Sequence, residues 1–353
     1  MSNNNLFKTT VVGSMPRPQF VRDLLKPDTR KQLGKREFTK RLDKAVAYVI
    51  AMQESAGLDI ISDGEWRRLS YIGVIADICD GFKVFYKDQQ PWTIIRKPIK
   101  IKNPGLVAKE ALFIKKNSNC KPKVALPSPY LLGQRMWDPK ESIQAYPTRE
   151  SFMKAMVPVL RGELEEIRKA GIKRVQFDDP HLCLFVDSRI AQQYENPDNE
   201  KNLCVDLLNE ILEGFEDLHT AIHLCRRNKA RQGWVGEGGY DPIMSQLQRL
   251  KVKQYMLEFS IPVAGDYAIL KEIPQEKTIG LGCVDCRSEH IDTPEEIVAR
   301  VEKALQYVTP DRISLHPDCG FAPGSAADIP IDEAYQKLKN EVKAAEILRE
   351  RYG

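Results

Sequence analysis

Short apolar runs alternate along this chain with longer amphipathic ones. Eight runs are rich in Val, Ile, Leu and Phe, as strands covered on both faces should be: Lys8–Gly13, Leu58–Asp63, Lys123–Pro127, Lys173–Asp178, His219–Cys225, Gln254–Glu258, Thr278–Val284 and Arg312–Pro317. Between them, apolar residues recur at helical spacing. Phe38–Ala56 carries Leu42, Val46 and Val49 along one stripe, and Glu150–Ala170 stops at Gly171. Further helices are predicted over Asn202–Asp217, Asp241–Leu250, Pro294–Tyr307 and Ile331–Arg351. Thr293 before Pro294, with Glu296 three residues after Thr293, is a capping-box start.

Eight strands alternating with helices predict a (β/α)8 TIM-like barrel occupying residues 1–353 as one domain; a doubly wound sheet is the alternative. One stretch breaks the alternation. Within 80–122 the segments Phe82–Tyr86, Trp92–Ile101 and Ala111–Lys115 offer no clear helix and read as a β-hairpin insertion after the second strand.

Length and composition agree with a globular barrel. The chain has 353 residues, 42% hydrophobic and 29% charged, which excludes a disordered protein. No apolar run approaches the roughly 18 residues of a membrane span. The 53 basic and 49 acidic residues are interspersed, so neither nucleic acid nor a membrane surface is an expected partner. The first residues, MSNNNLFKTT, show no secretory pattern, and a cytoplasmic location is expected. In that setting the eight cysteines read as buried, metal-bound or reactive rather than disulfide-paired.

A barrel carries its chemistry at the C-terminal ends of its strands. Polar and metal-binding residues stand at those ends here: Gly13-Ser14, Asp63-Gly64-Glu65, Asp178-Asp179-Pro180, His223-Leu224-Cys225, Glu258, Cys283 through Arg287, and His316-Pro317-Asp318-Cys319. His223 and Cys225 lie two apart on one strand and point to the same side. With Glu258 and Cys319 from later strand ends, one imidazole, two thiolates and one carboxylate can converge as a tetrahedral zinc set. The alternative is that the cysteines are small buried hydrophobes. The Cys283/Cys286 pair ends a strand instead of opening a helix, which favours a supporting wall over redox chemistry. Asp63 through Arg68 offers acids for an ammonium and Arg67 and Arg68 for a carboxylate, or else a solvated turn. Asp178 and Asp179 bind an amine or cap the next helix. The Gly-rich run Trp234–Tyr240 lacks both phosphate-binding glycine motifs and reads as a lid.

At these residues the sequence resembles the catalytic domain of the cobalamin-independent methionine synthase family. The matching stretches are Val12-Gly13-Ser14-Met15-Pro16-Arg17-Pro18, Asp63-Gly64-Glu65, Gln176-Phe177-Asp178-Asp179-Pro180, His223-Leu224-Cys225, Glu258 and Pro317-Asp318-Cys319-Gly320. The resemblance implies a (β/α)8 barrel with catalytic Zn2+ on His223, Cys225, Glu258 and Cys319. It also implies homocysteine contacts from Gly13, Ser14, Glu65 and Asp178. The chain is too short for the family's additional N-terminal barrel and resembles the short single-domain members. Two departures bear on the methyl donor. The family's Asn-Trp-Ser stretch after the third strand reads Leu126-Pro127-Ser128-Pro129-Tyr130 here. Arg287, in Asp285-Cys286-Arg287-Ser288, replaces the histidine assigned to proton delivery. Glu258, Asp178 and Arg287 are therefore the residues expected at the reacting centre. The expected donor is a methylated corrinoid or corrinoid protein rather than methyltetrahydrofolate.

The shared chemistry of such barrels is thiol alkylation. Methylation of homocysteine is the first expectation. A zinc thiol transferase of the epoxyalkane:coenzyme M type is the second, with Arg67, Arg68 or Arg287 as cations for a sulfonate. A non-catalytic zinc-binding or corrinoid-handling protein is the third.

Overall fold

The computed structural model describes residues 6–87, 90–322 and 329–353. The strands are β1 (Lys8–Thr9), β2 (Ile60–Ile61), β3 (Cys79–Lys87), β4 (Gln90–Ile101), β5 (Lys121–Pro127), β6 (Arg174–Asp178), β7 (His219–Leu224), β8 (Gln254–Glu258), β9 (Thr278–Val284) and β10 (Ile313–Pro317). Eight of them form one parallel sheet in the order β1-β10-β9-β8-β7-β6-β5-β2. A parallel bridge between Thr10 and Ile60 joins its two edges. The sheet is a (β/α)8 barrel, as the alternation of apolar runs predicts.

Side-chain alternation sorts each strand into two faces. Phe177, Ile222, Leu224, Leu257, Leu281 and Leu315 face outward into a core shared with the helices. The inner positions run against the expectation of apolar strands. Lys123, Gln176, Asp178, His223 and His316 are all buried there, beside the small cluster Val12, Ala221 and Met256. Both faces are covered, but the inner one is polar, and every polar group on it needs a partner.

β1 and β2 are each two residues long instead of six. Past Thr10 the chain leaves the ladder, and Gly13 O accepts from Ser62 Oγ at 2.8 Å. The seam between these short strands is closed by the C-terminal helix, Ile331–Tyr352. Its Arg349 donates to Leu6 O, Phe7 O and Asp59 Oδ2, and its Glu341 accepts from Thr10 N.

The helices Arg149–Lys169, Pro294–Leu305 and Ile331–Tyr352 stand close to their predicted spans, and Thr293 with Glu296 forms the capping box. Phe38–Ala56 is the second half of Pro27–Ala56, which bends at Gly34 (φ 68°). Asn202–Asp217 is displaced to Pro197–Leu212, because Asn196 and Pro197 supply an earlier start. Asp241–Leu250 is a 3-10 turn, Asp241–Ile243, followed by the short helix Met244–Arg249. In the insertion, β3 and β4 pair antiparallel as the expected hairpin. Ala111–Lys115, however, belongs to a helix, Leu106–Asn117. Among the described residues, no helix is long and apolar enough to cross a membrane.

Candidate metal centre

β7 delivers two of the expected ligands. His223 is on the strand and Cys225 follows it, both buried. Cys319 arrives from beyond β10, where the register slips between His316 and Pro317. One ligand atom from each of His223, Cys225 and Cys319 lies within 4.8 Å of the other two. Both ring nitrogens of His223 are buried and, among the described residues, without a hydrogen-bond partner. An imidazole left so in a polar interior, beside two thiols, is the donor set zinc takes. Burial alone would lower the His223 pKa, but the Cys225 sulfur and the charges of Asp178 and Glu258 raise it. The adjacent Cys319 thiol, and then the charge of the His223 imidazole, hold the Cys225 thiol well below its ordinary value. Cys319, sharing its proton with that sulfur, is held well above.

Glu258 stands apart from this group. It is fully buried at the end of β8, but its carboxylate is taken up by cations. Oε1 is paired with Arg287 Nη2, while Oε2 accepts from Arg226 N at 2.8 Å and lies 3.4 Å from Arg226 Nη1. Arg287 also reaches Asp318 Oδ2 at 3.4 Å. Burial, and then the neighbouring Glu258 charge, push the Asp318 carboxyl up to about 7. Arg287 is thus an ionic clamp on Glu258 and Asp318. Arg226 does a second job. It donates to Gly238 O at 2.6 Å and to Ala264 O at 3.1 Å, while Glu237 N donates to Asp187 and Gly238 N to Val263 O. The Gly-rich run read from sequence as a lid is therefore tied down on both sides.

Across the mouth lie the residues expected to hold substrate. Glu65 adopts a left-handed backbone (φ 57°), with its N–H donating to Asp63 Oδ1 at 2.9 Å. A Cβ on Gly13 would sit 2.7 Å from Glu65 Oε1, so the absence of a side chain at 13 makes room for this carboxylate. Among the described residues Ser14 makes its hydrogen bonds elsewhere. Its carbonyl accepts from Phe321 N, and its hydroxyl meets Ala322 N, tying β1 to the loop that carries Cys319. Asp178 accepts from Gln176 Nε2 at 2.7 Å, and Gln176 Oε1 in turn accepts from Lys123 Nζ at 2.9 Å. Burial, reinforced by the charges of Asp178 and Asp63, pushes Glu65 up to about 7 against the pull of Arg68. Asp178 is also raised by burial, opposed by His223. Asp179 is the helix cap, accepting from Leu182 N and Ser128 Oγ.

The arginines expected to face an anionic substrate are already engaged. Arg67 pairs with Asp43 at 2.8 Å and Arg68 with Glu110 at 2.6 Å, the latter pair buried. Cys283 packs in the outer core, whereas Cys286 lies in the same buried cluster as Cys225 and Cys319 and contacts Asn228. Sequence reasoning missed Tyr71 and His181. Tyr71 feels Cys225 and Asp178, both residues feel Arg135 and Arg227, and His181 Nε2 is buried without a partner. None of these four sits in a motif; only the fold gathers them.

Fold and site together define a class: a (β/α)8 barrel whose strand ends carry a zinc-type His–Cys–Cys cluster facing buried carboxylates. The chain belongs to the family described as cobalamin-independent synthase, catalytic domain, whose model matches residues 7–347. It is 28% identical over 352 residues to a methionine synthase of Pyrococcus horikoshii, covering 98% of this chain and 93% of that one. In fold it is similar to a B12-independent methionine synthase from Shewanella sp. W3-18-1 in complex with selenomethionine, with TM-score 0.78, 23% identity and 98% of each chain covered. It is also similar to a putative vitamin-B12-independent methionine synthase from Listeria monocytogenes, with TM-score 0.74, 22% identity and 96% of each chain covered. The corrinoid donor expected from the sequence gains no support here, and the family's description points the other way.

Proposed function

We propose that this chain methylates the thiol of homocysteine to give methionine, with zinc held by His223, Cys225 and Cys319. One observation carries the reading: a buried imidazole, without hydrogen-bond partners among the described residues, sits within 4.8 Å of two thiols, and its environment includes the carboxylate of Asp178. Zinc held there would supply the positive charge that keeps a bound thiol deprotonated near neutral pH, where a free thiol of pKa near 8.5 is mostly protonated.

The rest is the work of the chain's own residues. Glu65 and Asp178 form an acidic wall for the substrate ammonium, and a cation placed there returns Glu65 to its charged form. Gly13 leaves the space that the Glu65 carboxylate occupies. Arg287 and Arg226 hold Glu258 in ion pairs, which leaves three protein ligands in the proposed set. Deep burial excludes water from the acceptor thiol. We take the whole chain as one catalytic unit, with the β3–β4 hairpin an insertion within it.

Arg67, Arg68 and Arg287, the cations expected for a sulfonate such as that of coenzyme M, are each paired with an acid, whereas Glu65 and Asp178 offer acids to the ammonium that the amino-acid thiol alone carries. The amino-acid thiol is therefore favoured, together with a donor other than cobalamin. The test is methionine formation by the zinc-loaded protein from L-homocysteine, with methyltetrahydrofolate and methylcobalamin offered separately. Turnover with the folate supports the proposal in full. Turnover with methylcobalamin alone overturns its donor half, and no product from either overturns the reaction.

A further inference from the structure

The barrel has a second mouth, at the N-terminal ends of its strands, and it holds a cavity of about 170 Å³. All eight barrel strands contribute to its lining, among them Lys8, Arg174, His219, Gln254, Thr278 and Ser314. This is the end of a barrel that ordinarily serves stability alone. The space exists because Thr10, Ala221 and Ser314 are small where other barrels place bulky branched residues. At roughly 30 Å³ per liquid water, it accommodates an anion of phosphate size with a few waters.

The charge of the lining is one-sided. Lys8, Arg174 and Arg312 face it against a single lining acid, Asp311, and Lys123 at its inner end donates to Val11 O and Gln176 Oε1. Lys8 and Arg349 both pair with Asp59, whose charge also reaches Arg174. The Arg312 guanidinium donates to the carbonyls of Ile273, Pro274 and Lys277 and to the amide oxygen of Gln275, with no carboxylate among its hydrogen-bond partners. Arg174 is half-buried, and no hydrogen bond or ion pair engages its side chain among the described residues. Burying a cation without a partner is costly, and a cavity beside it is where an anion offsets that cost. Neutral groups complete the wall in fixed orientation: His219 meets Gln254 Oε1 at 3.2 Å, and Gln254 donates to Ser314 Oγ at 2.7 Å.

We propose that this N-terminal mouth binds a small multivalent anion, inorganic phosphate or a short dicarboxylate, with Arg174 as its principal contact. The site opens at the other end of the barrel from the metal ligands and does not depend on the proposed methyl transfer.

Isothermal titration of the zinc-loaded protein with phosphate, and in parallel with succinate, at low ionic strength tests it. The expected result is saturable one-to-one binding of at least one of the two. Arg174→Gln should weaken that binding by about tenfold or more, Arg174→Lys should restore part of it, and Glu65→Gln at the opposite mouth should leave it unchanged. Among the described residues Arg174 has no hydrogen-bonded partner to orphan, so the variant should fold, and its circular dichroism checks this. Absence of saturable binding of both anions at about 10 mM overturns the proposal, as does binding that survives Arg174→Gln or is lost in Glu65→Gln.

Discussion

At the level of single residues, the site is governed by which charges are already spoken for. Glu65 is the acid with most to give. Its carboxyl is raised from the ordinary 4.5 to about 7 by burial and by its acidic neighbours. A group that holds its proton more tightly in the folded chain contributes less stability as pH climbs from about 4.5 to about 7. A substrate ammonium reverses that by favouring the carboxylate. At pH 6, homocysteine binding should therefore expel a proton from Glu65, in addition to any released by the thiol, and at pH 8.5 the Glu65 share should vanish. Titration calorimetry in buffers of different ionisation enthalpy, wild type against Glu65→Gln, isolates that share. The variant should also lose about 10- to 100-fold in kcat/KM, mostly through KM. Equal proton release by both proteins at pH 6 would remove Glu65 from the substrate's ammonium. The spacing of His223 and Cys225 and the position of Cys319 made the convergence of these three side chains legible in the sequence. The fate of Glu258 was not, because Arg226 and Arg287 reach it from two other strand ends and neither position advertises an ion pair.

At the level of elements, the strands and capped helices were readable, and the helix Leu106–Asn117 was not. Its buried face, Val107, Ala108, Ala111 and Ile114, has helical spacing, but its start carries no local signal. The N-cap is Gly105 in a left-handed conformation, with no side chain to accept from the first turn. The acceptor comes from elsewhere in the chain. Glu163, buried on the helix Arg149–Lys169, accepts from Gly105 N at 2.7 Å and from Val107 N at 3.1 Å. A carboxylate at a helix N-terminus satisfies orphan donors and meets the positive end of the dipole. Glu163→Ala should accordingly cost about 1–3 kcal/mol of stability in denaturant unfolding, with the metal site untouched. A loss below about 0.5 kcal/mol would mean that the helix does not depend on this cap.

At the level of the whole molecule, the two mouths of the barrel have different characters because different polar groups gather at each end of an interior whose middle holds the apolar cluster Val12, Ala221 and Met256. The C-terminal mouth gathers thiols, an imidazole and acids; the N-terminal mouth gathers cations. Between them, Lys123, its pKa lowered by burial to about 7, bridges Val11 O and Gln176, which in turn positions Asp178. Closure depends on the ends of the chain: β1 and β2 are too short to seal the seam, and the final helix holds it. The alternation of runs announced the barrel, but nothing local revealed which inner positions would be polar and satisfied by one another. The central claim, that the His223–Cys225–Cys319 cluster holds zinc and presents it to an amino-acid thiol, is tested most directly by zinc X-ray absorption of the purified protein. The account predicts a shell with two protein sulfurs and one imidazole, lost in Cys225→Ser and Cys319→Ser, that gains one sulfur with L-homocysteine and none with coenzyme M. Absence of zinc, an unchanged shell with homocysteine, or a gain with coenzyme M alone would contradict it.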